Sequence, residues 1–398
     1  MKVESKSRPA LKLLEGNEAV AHGVLLCQPD VIAAYPITPM SSVLDHLYHF
    51  KADGSLKAEM LAVESEHSSM SALIGASLAG GRTFTATASQ GLLFMYEAYA
   101  DAATLRLPIV MTLATRETNA PQGVTAGDQD AILVKDTGWI QIHVESCQEI
   151  LDTIIMAYRL AEDPQILLPV SVCYTGFYLS YLSEPVEIPE QEKVDQFLPP
   201  LEMNPRIDPE TPMTASVYSR GIITTEYRYK HLAAAQRAKA RIEEIETEFQ
   251  QIFGRSYGGQ IEEYRSEDAD IVLLAMGSCA GTVKVVVDQK RDEGLKVGLI
   301  KLRMLSPFPA ERLVNALRGK KAVGIIERNV SFGWGCGSVF VELRAAFADL
   351  DARIPMVDFI DGLSGSDITM EHIARAISIT QSVAEGKPYK KVTWLSLE

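Results

Sequence analysis

Apolar and polar positions follow the same rhythm in two separate blocks of the chain. In residues 17–175, short β-rich apolar runs fall at 31–34, 82–87, 109–113, 141–144 and 168–173, with a weaker one at 61–63. Continuous apolar runs of this kind mark parallel strands buried on both faces. Between them, 18–27, 40–50, 66–78, 92–104 and 147–162 repeat their apolar residues at helical spacing. The alternation predicts a doubly wound parallel sheet, in which ligands bind at the carboxyl ends of the strands.

The rhythm stops at about residue 183 and resumes at 268. Strands are predicted at 270–276, 296–302, 322–327 and 356–359, and helices at 281–294, 310–319 and 338–350. Between the blocks, 183–212 is rich in proline and acids and predicts an extended linker. Residues 229–253 predict one long helix, supported by pairs such as Lys239 to Glu243 at i,i+4. The chain is therefore expected to hold an α/β domain over 1–182, a linker with a long helix over 183–262, and a second α/β domain over 263–398.

Composition narrows the function. The 398 residues are 47% hydrophobic and 23% charged, which excludes a disordered or coiled-coil chain. A net charge of −14 argues against a nucleic-acid partner. No apolar run approaches the roughly 20 residues of a spanning helix, so no membrane insertion is expected. Residues 1–15 lack the apolar core of a signal peptide. Cys27, Cys147, Cys173, Cys279 and Cys336 are scattered, with no CxxC and no metal-ligand spacing. They read as reduced thiols in a cytoplasm, with any metal centre on another chain.

The candidate chemistry sits in loops. Tyr35-Pro36-Ile37-Thr38-Pro39 is a rigid turn that would present the Thr38 hydroxyl at a strand end, or simply cap the next helix. Val63-Glu64-Ser65-Glu66-His67-Ser68 opens a helix. Its acids suit ordinary capping, or Glu66 is a buried carboxyl that shares a proton with a heterocycle nitrogen. Thr87-Ala88-Ser89-Gln90-Gly91 ends a strand in small residues that admit a flat ligand. It lacks the lysine of a P-loop. Gly277-Ser278-Cys279-Ala280-Gly281 is a glycine-rich turn with no fingerprint and reads as structural. Arg116 suits a carboxylate clamp, or an ion pair with Glu117 or Asp130. Thr38, Glu66, the Thr87–Gly91 turn and Arg116 all fall on one predicted sheet edge.

At AAYPITP, VESEHSSMSALIGASLAGGRTFTATASQGL, LRLPIVM and KDTGWIQ, and again at RMLSP and Glu327-Arg328-Asn329, the chain resembles the alpha subunit of the 2-oxoacid:ferredoxin oxidoreductases. That resemblance implies a thiamine diphosphate pyrimidine-binding domain followed by a transketolase C-terminal-like domain. It implies oxidative decarboxylation of a 2-oxo acid to an acyl-CoA, with coenzyme A as co-substrate. By the matching motifs, Glu66 would hydrogen-bond N1′ of the aminopyrimidine and favour the imino form that deprotonates the thiazolium. Thr38 and Arg116 would bind the substrate, and Tyr35, Pro36, Ile37, Ser89, Gln90 and Gly91 would line the cofactor.

No GDG motif and no cluster-binding cysteines are present, so the resemblance implies half an active site. A beta subunit would supply the diphosphate and Mg²⁺ site and a [4Fe-4S] cluster. Gamma- and delta-type subunits would carry ferredoxin-like clusters, with ferredoxin or a flavin/NAD subunit as acceptor. In pyruvate-type relatives, the stretch matching residues 119–130 tends to be bulkier. Gly123, Ala126 and Gly127 here would leave room for a larger acid such as phenylglyoxylate. The alternative is a non-catalytic thiamine-fold scaffold that kept the sheet and lost the site.

Overall fold

The structure, a computed structural model, describes residues 10–118, 121, 123–216, 218–348 and 354–397. Fifteen strands follow in chain order among these. They are β1 (Ala10–Glu15), β2 (Val31–Ala33), β3 (Glu59–Leu61), β4 (Thr83–Thr87), β5 (Val110–Thr115), β6 (Ile140–Val144), β7 (Val170–Thr175) and β8 (Ser183–Ile188). The second half adds β9 (Ile261–Tyr264), β10 (Ile271–Met276), β11 (Val297–Leu302), β12 (Met304–Ser306), β13 (Ala322–Glu327), β14 (Met356–Ile360) and β15 (Val392–Trp394).

Two large sheets result. The first runs β12-β6-β7-β5-β4-β2-β3 and is parallel except for β12. Every residue of β4, β5, β6 and β7 is buried, as the apolar runs require of strands covered by helices on both faces. The second runs β15-β14-β13-β10-β11-β9 and is parallel except for β9. The doubly wound α/β architecture expected from the sequence is thus present in both sheets.

Strand order fixes where each sheet opens. In the first, β2 pairs with β3 on one side and with β4 on the other. In the second, β10 pairs with β11 on one side and with β13 on the other. At such reversals the connecting loops diverge and leave a crevice at the carboxyl ends.

The halves interlock. β12, from the second half, adds an antiparallel edge to the first sheet. Beside it, the fully buried Arg303 donates through Nε to Glu149 Oε1 at 2.7 Å, while Lys301 Nζ lies 3.0 Å from Glu149 Oε2. Burial would raise the Glu149 pKa, yet these two cations hold it below the usual value.

The segment expected to be an extended linker is more ordered. β8 pairs antiparallel with β1, and a short helix Gln191–Phe197 follows. The long helix spans Ile222–Phe253, and its first residues, Ile222 to Lys230, are exposed. The predicted helix over 92–104 is two helices, Ser89–Phe94 and Tyr96–Thr104, which share Met95 as a cap. Residues 349 and 350 of the predicted helix over 338–350 lie outside the described residues; it ends at Ala346.

Candidate active site

The β2/β4 crevice collects the residues singled out from sequence. The loop after β2 carries Tyr35, Pro36, Ile37 and Thr38. Tyr35, Pro36 and Thr38 are exposed and Ile37 is half-buried, so the segment forms a rim. Buried Asn17 holds it: Nδ2 donates to Pro39 O at 2.7 Å and to Ser42 Oγ at 2.8 Å. Tyr174 on β7 donates in turn to Asn17 Oδ1 at 2.6 Å.

The helix Glu66–Leu78 begins at the same crevice. Ser65 caps it by accepting from the Ser68 amide, and exposed Glu64 accepts from the Ser68 hydroxyl at 2.6 Å. Capping is therefore performed by Ser65 and Glu64. Glu66 turns inward instead and is 7% exposed. Its carboxylate has no hydrogen-bond partner among the described residues. Thr87, at the end of β4, is fully buried, and its hydroxyl also lacks a partner. Gly91 lies between them: a Cβ there would sit 2.6 Å from both Glu66 Oε1 and Thr87 Oγ1. Only glycine leaves both polar groups open to the crevice.

Ser89 is at φ 48°, a left-handed conformation that is costly outside glycine. Asp130 stabilises it. Asp130 Oδ2 accepts from the amides of Ser89 at 2.9 Å and Arg116 at 3.0 Å, and Oδ1 from that of Ala131 at 2.8 Å. The Ser89 hydroxyl lies 2.5 Å from both Glu117 O and Gln90 Oε1, so it is engaged within the protein. Gln90 is half-buried and its amide nitrogen has no partner among the described residues.

Arg116 is 6% exposed. It donates through Nε to Gly123 O at 2.8 Å and through Nη1 to Thr38 O at 2.7 Å. Among the described residues no carboxylate pairs with its guanidinium, so the ion pair considered with Glu117 or Asp130 is not formed. Burial lowers the Arg116 pKa, partly offset by the Asp130 charge. The same burial pushes Glu117 up to about 7, helped by Asp128, and Asp130 up to about 8.

The small residues after Arg116 have a packing reason. A Cβ at Gly123 would collide with Ser364 Oγ, and one at Gly127 would lie 2.6 Å from Glu117 Oε1. Residues 119, 120 and 122 of this loop lie outside the described residues. Asn17 and Asp130 were not found as site residues from sequence. Each acts across a sequence separation that no local motif signals.

The crevice thus offers a buried carboxylate, a buried hydroxyl and, on its rim, an arginine with no acidic partner among the described residues. Such groups suit a nitrogen heterocycle beside a small carboxylate. The chain belongs to the pyruvate:ferredoxin oxidoreductase family. Residues 22–247 match the family description "Pyruvate flavodoxin/ferredoxin oxidoreductase, thiamine diP-bdg", and residues 269–373 match "Pyruvate:ferredoxin oxidoreductase core domain II".

Pyruvate synthase subunit PorA of Methanothermobacter thermautotrophicus is 45% identical, with 98% of each chain covered. That of Methanosarcina barkeri is 43% identical, with 96% of each covered. The alpha subunit of NADH-dependent phenylglyoxylate dehydrogenase from Aromatoleum evansii is also 43% identical, over 94% of this chain and 92% of that one. In fold, the chain is similar to the 2-oxoglutarate:ferredoxin oxidoreductase from Magnetococcus marinus. The TM-score is 0.73 at 21% identity, covering 92% of this chain and 65% of that longer one. A split-gene transketolase gives a TM-score of 0.55.

Proposed function

We propose that this chain is the alpha-type half of a thiamine-dependent 2-oxoacid:acceptor oxidoreductase, with residues 1–182 as the pyrimidine-binding domain. Residues 183–262 link it to a transketolase C-terminal-like domain over 263–398. The observation that carries the reading is the unpartnered, buried Glu66 carboxylate beside Gly91 and Thr87.

These residues fit the aminopyrimidine of thiamine diphosphate. When bound, that cofactor supplies a nucleophilic carbon and an electron sink for decarboxylation. Glu66 would share a proton with the ring nitrogen N1′, a role for which a buried carboxyl is suited. Tyr35, Pro36, Ile37, Gln90 and Gly91 line the ring, and Ser89 holds the turn that carries them. Arg116, whose Nη2 has no hydrogen-bond partner among the described residues, orients the substrate carboxylate, and the Thr38 hydroxyl contacts the substrate beside it.

The reaction takes a 2-oxo acid and coenzyme A to an acyl-CoA and CO₂, and two electrons leave for iron–sulfur clusters on partner subunits. The diphosphate, its Mg²⁺ and a [4Fe-4S] cluster belong to a beta-type subunit. Gamma- and delta-type subunits carry further clusters to ferredoxin, or to a flavin subunit that reduces NAD. The complex works in the cytoplasm; no described helix is long and apolar enough to cross a membrane.

Pyruvate is the leading substrate, because packing accounts for Gly123 and Gly127 without invoking a larger acid. An aryl acid is the second reading, favoured by equal identity to the phenylglyoxylate enzyme. The test is kcat/KM for pyruvate, 2-oxoglutarate, 2-oxoisovalerate, indolepyruvate and phenylglyoxylate, with coenzyme A and a viologen dye. The complex purified through this chain is expected to prefer pyruvate. Preference for phenylglyoxylate would favour the aryl reading, and inactivity with all five would favour the scaffold reading.

A further inference from the structure

The second sheet has its own crevice, between the carboxyl ends of β10 and β13, which the function proposed above does not use. The chain leaves β10 through Gly277, at φ 68°, and Ser278, which begins the 14-residue helix Cys279–Asp292. A helix N-terminus carries partial positive charge and favours an anion. The chain leaves β13 directly into Arg328.

Arg328 is 7% exposed, so its guanidinium is nearly stripped of water. Its Nε is buried without a partner among the described residues. Nη1 reaches only the Ser278 hydroxyl, at a long 3.4 Å. The ring of Tyr178 lies 5.7 Å away and covers one side. No described carboxylate forms an ion pair with it. Of the acids around it, buried Asp128 feels the Arg328 charge without bonding it and accepts from the Thr115 hydroxyl at 3.1 Å, Asp367 accepts from the Tyr178 hydroxyl at 2.6 Å, and Asp361 pairs with His372 at 2.8 Å. Glu145, near the helix start, is held by Lys284 and Lys301.

Among the described residues no acid bonds this guanidinium directly, and a planar guanidinium with free donors is matched by a tetrahedral oxyanion. We propose that the β10/β13 crevice binds a phosphate group. Arg328 grips it from one side and Ser278, at the start of the helix, from the other. Gly277 lets the main chain approach, since the nearest atom to a Cβ there is Thr175 Oγ1 at 3.2 Å. Thr175 Oγ1 lies 2.9 Å from the Ser278 hydroxyl and fixes its position. Tyr178 is half-buried, so the crevice opens to solvent beside its ring.

The test uses the whole complex purified through this chain and two probes, inorganic phosphate and coenzyme A, in equilibrium dialysis. The site does not depend on thiamine chemistry, so binding is the readout. Wild type is expected to bind phosphate. Arg328→Gln weakens this by about tenfold or more and Ser278→Ala by a smaller factor, while Arg328→Lys retains part of it. Competition between phosphate and coenzyme A would mean the phosphate belongs to the co-substrate. Independent binding would mean a free phosphate or another phosphate-bearing ligand. If Arg328→Gln fails to assemble, Arg328→Lys and Ser278→Ala carry the same comparison. The proposal is overturned if wild type binds neither probe, or if the assembled variants bind both as wild type does.

Discussion

Arg116 donates through Nη1 to the main-chain carbonyl of Thr38 across 2.7 Å, tying together two loops that lie 78 residues apart in sequence. The arginine thus sets the position of the threonine loop and faces the crevice at the same time. Arg116→Ala is expected to raise KM for the 2-oxo acid by about ten- to a hundredfold, the scale of a lost charge-assisted contact of about 1.5–3 kcal/mol. Steady-state kinetics on the assembled variant gives the answer; an unchanged KM would reject the clamp.

Gly91→Ala places a methyl 2.6 Å from both Glu66 Oε1 and Thr87 Oγ1. Overpacking of this kind costs about 1–3 kcal/mol and here closes the crevice. The variant is expected to assemble but to bind thiamine diphosphate at least tenfold more weakly (about 1.4 kcal/mol) by fluorescence titration of the complex. Wild-type affinity would remove Gly91 from the cofactor site.

Arg303→Ala leaves Glu149 and Glu246 buried beside an empty site. Breaking a buried pair from one side costs about 3–5 kcal/mol. The expected outcome is a marked fall in melting temperature and separation of the two halves to limited proteolysis. A melting curve like that of wild type would show that the seam does not depend on this network.

Glu117 and Asp130 predict a pH dependence. Burial pushes them up to about 7 and about 8 in the folded chain, against roughly 4 for an exposed carboxyl. Between these values the folded state holds more protons than the unfolded one, so stability falls as pH rises through 7 to 8. Melting temperature measured from pH 6 to 9 should decline, and Glu117→Gln should flatten the slope near 7. A rising profile, or the same slope in the variant, would contradict this assignment.

What the sequence made legible follows from what is local. The buried strands β5, β10 and β13 announce themselves as apolar runs, and loops at the crevices follow as their carboxyl ends. Elements that depend on distant partners stayed hidden. β8 carries Pro185, which argues against a strand, and it forms because β1 supplies its partner. β12 is three residues long and exists only as an edge for β6. Asn17, Asp130 and Arg328 are ordinary polar residues in sequence. Their roles come from neighbours 22, 41 and 50 residues away. The two glutamates of the Glu-Ser-Glu motif look alike as letters, and only the fold turns Glu66 inward and leaves Glu64 as a cap.

The most direct measurement is 2-oxo acid- and coenzyme A-dependent viologen reduction by the complex purified through this chain, comparing wild type with Glu66→Gln. The variant keeps the size and packing of the side chain but not its acid. An active wild type is predicted, together with a variant that retains its partner subunits and loses turnover by about a hundredfold or more, the scale of a positioned proton-transfer group. Turnover in the assembled variant close to that of wild type would contradict the assignment of Glu66 and, with it, the half-site reading of this chain.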